Sequence, residues 1–570
     1  MASDDVHGQS SIDTSEIRSW RSIVTLVVFV ITNIVVLFPF YIPLPIPVLV
    51  RDGTLNALAS MRIIAPHKRA LSHGNAESLS CIWMRFPMNF ITAPLIADLF
   101  LLAILAIGRQ EVHDGTVGAN NISPLDIMAF FLSLAYIAIS IDASGLIRYL
   151  AFKVLQWGGK VGHRLFFYLY AFFFALTAFI GNDPVILSGT AFLAYMTRVS
   201  SNILHPRAWI YTQFTVANMG SAILVSSNPT NLVLAGAFDI KFINYTANII
   251  VPVVITAIVL FPFLLYIVFA DESLIPVSIK MHELPEEVKN RKPINPNIPN
   301  VRAKMEEQEN EHLNDEAGQL LSLEEIMNPF LDKKGAAFGA IIMALTLVAI
   351  LALNAASQNS GEHPVFWVTV PAAVILIIFD LILGWMNRKE TREIARQGRE
   401  RLETNHAEKK KDQLQRNNDL SLIQPSEADT FEVSEPGQEE KQLSHTSAVS
   451  ADHGPGPAMV EKGKNELSTA PSTLSSLVVK LWQWAQETFP TSTTVLAHLP
   501  LALVPFAFCM FVLVQALVSH GWVQVFAFGW DHWVTKTGTV GAVGGMGFLS
   551  VILCNVSPAS INFYLNTTLN

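Results

Sequence analysis

Residues 179–189, FIGNDPVILSG, set an amide, a carboxylic acid and a helix breaker inside an apolar run. Phe166 to Ala178 before them and Ala191 to Met196 after them are rich in Phe, Leu and Ala. A second interruption follows at SSNPTNL, where Ser226, Ser227, Asn228, Thr230 and Asn231 flank Pro229. Hydroxyl and amide oxygens beside freed backbone N–H and C=O groups can coordinate an ion. Acids within apolar segments add proton or cation chemistry. Asp183 stands at the tip of the first break, where ion or proton coupling competes with simple helix capping. Asp98 lies four residues after Pro94 and suits a proton carrier or a pairing with a neighbouring helix. Asp142, close to the end of its apolar segment, fits an interface or capping role. Asp380 has uncharged flanks, and its roles are not separable by sequence.

The chain shows no metal-spaced His/Glu set, no Gly-x-Ser-x-Gly elbow, no phosphate loop and no glycine fingerprint after a strand pattern. An enzyme is therefore not expected, nor a metal or organic cofactor. Cys81, Cys509 and Cys554 have no ligand spacing and read as small apolar filler.

The elements that position these residues are membrane segments. Of 570 residues, 51% are hydrophobic and 15% charged, against about 25% charged in an average soluble protein. The charges cluster before Arg21 and around 51–85, 271–334 and 387–475, leaving long uncharged runs between. Runs of about 20 apolar residues predict spans. They fall at 22–42, 88–107, 124–147, a broken pair 165–180 and 184–198, then 208–236, 247–270, 335–354, 364–386 and 497–518. A Gly-rich apolar stretch comes after them at 537–555. Residues 148–163 and 520–535 are too polar to span and read as amphipathic segments at the interface. The acidic N-terminus lacks the basic n-region of a signal peptide.

The basic loops fix an orientation. Arg51, Arg62, Lys68, Arg69 and Arg85 lie in 43–87, and Arg148, Lys153, Lys160 and Arg164 in 148–164. With the N-terminus outside, every basic loop is cytoplasmic, provided 165–198 enters and leaves on that side. That makes it a re-entrant hairpin with its tip at Gly181-Asn182-Asp183-Pro184; a straight span is the alternative, which Pro184 opposes. The expected organisation is an extracytoplasmic tail 1–21, a first transmembrane repeat 22–270, a cytoplasmic linker 271–334 and the start of a second repeat at 335–386. A disordered cytoplasmic loop 387–475, the rest of the second repeat at 476–555 and an atypical tail 556–570 complete it.

The two halves echo each other. Thr92-Ala93-Pro94 matches Thr369-Val370-Pro371, and GRQE at 108–111 matches NRKE at 387–390. Gly145, Ala151, Phe152, Trp157 and Lys160 match Gly521, Ala527, Phe528, Trp533 and Lys536 without a gap. By loop charge the matched spans run in opposite directions. The fold class is thus an all-α polytopic membrane protein with inverted-topology repeats, re-entrant hairpins and broken helices. In such folds the site lies near the midplane at interrupted helices.

The order FIGND, then ANMGSAILVSSNPTNLVLAG (217–236), resembles the ion transporter superfamily. That group holds citrate transporters, arsenite-efflux permeases, sodium/proton antiporters and divalent-anion:sodium symporters. The Asn-Asp tip is more similar to the arsenite-permease and antiporter branch. The resemblance implies that Asn182, Asp183, Ser227, Asn228, Thr230 and Asn231 line a first ion or substrate site, with Asn555 matching Asn182 in the second repeat. It covers 20–270 well and 335–555 loosely. The family's second repeat continues past this point, whereas only VSPASINFYLNTTLN comes after Asn555. Val556-Ser557 is what an in-frame intron start, GTAAGT, encodes, so the second repeat reads as C-terminally truncated after Asn555, a genuine short form being the alternative.

The resemblance implies a secondary active transporter of a small inorganic or organic anion, an arsenite-like oxyanion or citrate/dicarboxylate, coupled to Na+ or H+. A sodium/proton antiporter is the alternative in the same class, and a non-transporting truncated membrane scaffold the alternative in another. Expected partners are membrane lipid, the small ion or anion and, by the superfamily's habit, a second copy in a homodimer. Basic loops that hug the membrane do not suit nucleic acid. Loop charges choose neither plasma nor vacuolar membrane.

Overall fold

The computed structural model describes residues 15–65, 81–119, 122–200, 202–203, 205–238, 240–280, 293–301, 327–356, 364–422 and 473–555. The expected tail at 556–570, most of the disordered loop at 387–475 and much of the linker 271–334 lie outside these residues. The chain forms two compact units: Met1–Ile46, Ser80–Ala395 and Ala485–Asn570 make one, Pro47–Leu79 and Arg396–Trp484 the other.

The first unit opens with α1 (Trp20–Leu37), whose Ser19 cap accepts from the Ser22 N–H at 3.2 Å. Strand β1 (Phe40–Pro47) is next; α2 (Val48–Ser60) belongs to the second unit. Strand β2 (Cys81–Met88) pairs with β1. Then come α3 (Thr92–Ala103), α4 (Arg109–Thr116), α5 (Pro124–Ala143) and α6 (Leu146–Gly158). Helices α7 (Gly162–Ile180) and α8 (Asn182–Val199) are joined by Gly181 alone. Helix α9 (Arg207–Gly220) and helix α10 (Pro229–Ala237) flank a non-helical stretch, and α11 (Phe242–Phe263) ends in a π turn, Leu264–Val268.

Helices α12 (Lys333–Ala356) and α13 (Phe366–Leu422) come after it. The remaining helices are α14 (Leu474–Thr488), α15 (Pro490–His498), α16 (Leu503–Ser519) and α17 (Trp522–Asn555), the last bent at Gly538. In the second unit the Leu474 and Ser475 N–H groups donate to the carbonyls of Arg62 and Ile63.

Among the described residues seven helices are long and apolar enough to cross a membrane. Their outward faces leave large aliphatic side chains bare, such as Ile258 at 67% and Val348 at 64%. A continuous bare apolar surface is a liability in water and the natural state in lipid. The chain is an integral, multi-pass membrane protein of all-α architecture.

One sequence expectation differs from the structure. The basic stretch 43–87, expected as a loop, carries the end of β1, α2 and β2. Prolines at 43, 45 and 47 forbid ladder donors, and a two-stranded ribbon tolerates them because its outer edges need none. Residues 148–163, expected as an amphipathic segment, largely form α6, whose Ile147, Ala151, Phe152 and Leu155 are buried in protein. Its amphipathic face meets α7 and α8.

The repeat is visible in backbone and packing. Gly145 and Gly521 precede their helices with φ of 84° and 80°. Gly159 (φ 63°, ψ −146°) ends α6, and Gly538 (φ 65°, ψ −164°), three residues beyond the position that matches it, bends α17. The third spans are exchanged: α5 packs on α12 and α15, while α16 packs on α1, α3 and α4. Each repeat's third span is thus seated among helices of the other.

Candidate functional site

The hairpin is built by Gly181. Its φ of 95° and ψ of 167° lie in a region reserved for glycine. A Cβ there would also come 3.0 Å from the Ser227 carbonyl oxygen. A helix continuing through Gly181 would hold Phe173 and Gly189 about 24 Å apart at 1.5 Å per residue. Instead the Phe173 ring lies 2.8 Å from where a Gly189 Cβ would stand. The chain therefore reverses at Gly181. The first arm, 19 residues long, measures about 28 Å, close to the thickness of a bilayer core.

The polar interior holds the second arm. Gln213 of α9, 1% exposed, donates from Nε2 to the Val185 carbonyl at 2.7 Å and accepts from Thr190 Oγ1 at 3.1 Å. The Ser188 hydroxyl donates to Asp142 Oδ1. Asp142 thus braces the hairpin from α5.

The second break lies against the tip. Helix α9 stops at Gly220, and Ser221 to Asn228 leave α-helical geometry apart from one 3-10 turn, Val225–Ser227. The Ser227 hydroxyl donates to the Ala178 carbonyl, in the last turn of the first arm. Asn231 Nδ2 donates to the carbonyls of Ser221 (2.8 Å) and Leu224 (3.0 Å). Those carbonyls have left the helix and need donors at membrane depth. Asn228 Oδ1 accepts from the Thr230 N–H at 3.0 Å and caps α10.

The sequence-predicted residues therefore divide. Asn182 and Ser227 meet at the junction of tip and break, and Asn182 Nδ2 donates to Asn218 Oδ1 at 3.4 Å. Asp183 is half-buried in the first turn of α8 and has no hydrogen bond to a described residue. Asn228 and Thr230 form the start of α10, Thr230 exposed. Asn231 is buried and occupied with backbone. Asp98 lies apart, in the cluster of α1, α3 and α16, with the Cys509 thiol in hydrogen-bonding range and its Oδ1 unpartnered. Asn555 ends α17, and residues 556–570 lie outside the described ones.

Sequence reasoning missed Asn218 and Gln213. Both are amides in an apolar helix, the same signal that marked Asn182, and neither sits at a proline. It also missed the seam between repeats. Ser133 donates to Thr369 Oγ1 at 2.7 Å, and Asp380 accepts from Tyr136 and Ser140. Ser133 and Cys509 each stand twelve residues before their repeat's marker glycine, Gly145 or Gly521. Each carries its span's polar contact to the other repeat's second span, Ser133 to α13 and Cys509 to α3.

The junction sets the N-terminus of α8, with Asp183 in its first turn, beside the Asn228-capped start of α10, with the neutral amides of Asn182 and Asn218 near them. The helix dipoles and the amide N–H groups so arranged attract negative charge, although the Thr230 and Asn231 N–H groups of α10 are already spent on Asn228. A family model described as Citrate transporter matches residues 79–560. Comparison with curated proteins finds no match.

Proposed function

The chain belongs to the citrate transporter family, a family of secondary transporters of citrate-like anions, and we propose that its substrate is citrate itself or a close di- or tricarboxylate. The carrying observation is the apposition of the Gly181–Asn182 tip with the Ser227–Asn228 break. Carboxylate oxygens accept from the amides of Asn182 and Asn218 and from the N–H groups that open α8. No Lys or Arg stands in 166–197 or 208–240. A multiply charged anion is then carried together with protons or Na+, and Asp183, with no partner among the described residues, supplies the matching negative group for that cation. An arsenite-like oxyanion is the second reading of the same amide-lined junction. No chemical step is assigned to the protein.

The test uses the full chain in sealed proteoliposomes. Labelled citrate and arsenite are offered in parallel under a pH gradient or a Na+ gradient. The expected result is gradient-driven citrate accumulation, lost in Asn182→Ala. Sodium-driven proton movement with no anion flux overturns the proposal in favour of an antiporter.

A further inference from the structure

Asp380 is a carboxylate within α13, 4% exposed and outside the hairpin's own residues in sequence. Its Oδ2 accepts from Tyr136 Oη at 3.1 Å and from Ser140 Oγ at 2.8 Å, both on α5. Its other oxygen has no hydrogen bond to a described residue, and no described cation pairs with it. A buried ion without a counter-ion is costly at membrane depth and marks function by default. Asp380 also lines a cavity of about 540 Å³, together with Ser140, Asn295, Asp332, Lys333 and Glu390. At about 30 Å³ per water, that volume admits many.

The elements around the carboxylate bring few charges. From α5 comes Tyr136; from the entry to α12 come Asp332, Lys333 and Lys334; α13 itself adds Glu390. The 293–298 stretch and α15 contribute no titratable group to the cavity wall. Among the described residues two hydroxyl oxygens converge on Asp380, and both already spend their protons on it. A hard cation such as calcium takes about six to eight oxygens, whereas a proton needs one.

We infer that Asp380 is a proton-carrying residue served by this cavity. A proton passes from cavity water to the carboxylate, forming an O–H bond, and returns to water when the acid is released. The carboxylate is bonded to α5 of one repeat while seated on α13 of the other. A charge-assisted bond is about twice as strong as a neutral one, so the protonation state changes how firmly the two repeats are joined. The inference rests on the transport reading above.

The test is infrared difference spectroscopy of the reconstituted full-length protein between high and low pH. Wild type is expected to show a carboxylic C=O band on acidification that is missing in Asp380→Asn. Tyr136→Phe and Ser140→Ala keep the carboxyl and remove one hydrogen bond each, so both are expected to move the band. In transport, Asp380→Asn is expected to keep citrate counterflow and lose accumulation driven by a pH gradient. Asp380→Glu is expected to regain part of it. An unchanged band in Asp380→Asn, a band unmoved in both hydroxyl variants, or wild-type pH-driven accumulation in Asp380→Asn overturns the inference. Wild type without citrate flux overturns the function proposal alone, because the infrared titration reads Asp380 regardless of substrate.

Discussion

Replacing Gly181 by alanine tests whether the tip geometry is the working part. The backbone there (φ 95°, ψ 167°) is one that a residue with a Cβ holds only at a cost of about 1–3 kcal/mol. The new methyl group would stand 3.0 Å from the Ser227 carbonyl oxygen, so the break must give way by a few tenths of an ångström. Strain and contact act on the same two segments, and they push Asn182 away from Asn228. Misplacing a binding group by about 1 Å typically costs on the order of 100-fold in rate. Citrate uptake at matched protein is therefore expected to fall by about 10- to 100-fold, within that bound. Gly529 is the control: it lies in α17 with nothing within 4 Å of its would-be Cβ. Gly529→Ala is expected to keep uptake and to gain about 0.5–1 kcal/mol of helix stability. Wild-type uptake and an unchanged unfolding temperature in Gly181→Ala would refute the reasoning, because strain so placed cannot be silent.

Asn231→Leu strands the Ser221 carbonyl, while that of Leu224 keeps the Ser227 N–H; at about 1–3 kcal/mol for an unsatisfied buried group, the variant is expected to unfold at lower temperature in detergent by fluorescence-detected size exclusion. Asn228→Ala removes a helix cap worth about 1 kcal/mol, and Asn228→Asp is expected to keep it; thermal unfolding of the two variants against wild type checks the order. Ser133→Ala, Thr369→Val and the double variant form a cycle whose coupling energy is expected at about 0.5–1.5 kcal/mol. Zero coupling in unfolding measurements would show that the two repeats are not joined by that bond.

Sequence reached the two breaks because their residues violate the pattern around them. Gly181, Asn182, Asp183 and Pro184 have no business in a lipid-facing helix unless something else is served. It placed the second interruption at Pro229, however, while the helix already ends at Gly220. Ser221 to Leu224 are compatible with a helix; outside it, the Ser221 and Leu224 carbonyls are met by Asn231, a contact that local propensity does not contain. The span ending at Met386 is the start of a helix that runs to Leu422, since hydropathy reports lipid and the Lys, Glu and Arg beyond it still favour helix. The repeat was legible in its glycines and tryptophans. The seam at Ser133, Tyr136, Ser140, Thr369 and Asp380 was not, because its partners stand more than 200 residues apart.

The exchanged third spans have a consequence for how the chain is made. Helices α1 and α3 emerge early, yet the helix that covers them, α16, is synthesised much later. The 400 residues between Ala103 and Leu503 take roughly 20 to 80 s at ribosomal speeds of about 5–20 residues per second. Throughout that time the early pair must wait in the bilayer with an uncovered face, and α5 waits likewise for α12. The first half cannot mature before the second is inserted. Its assembly is a single late closure, and a pause or a chaperone acting on the half-made protein has that long a window in which to act.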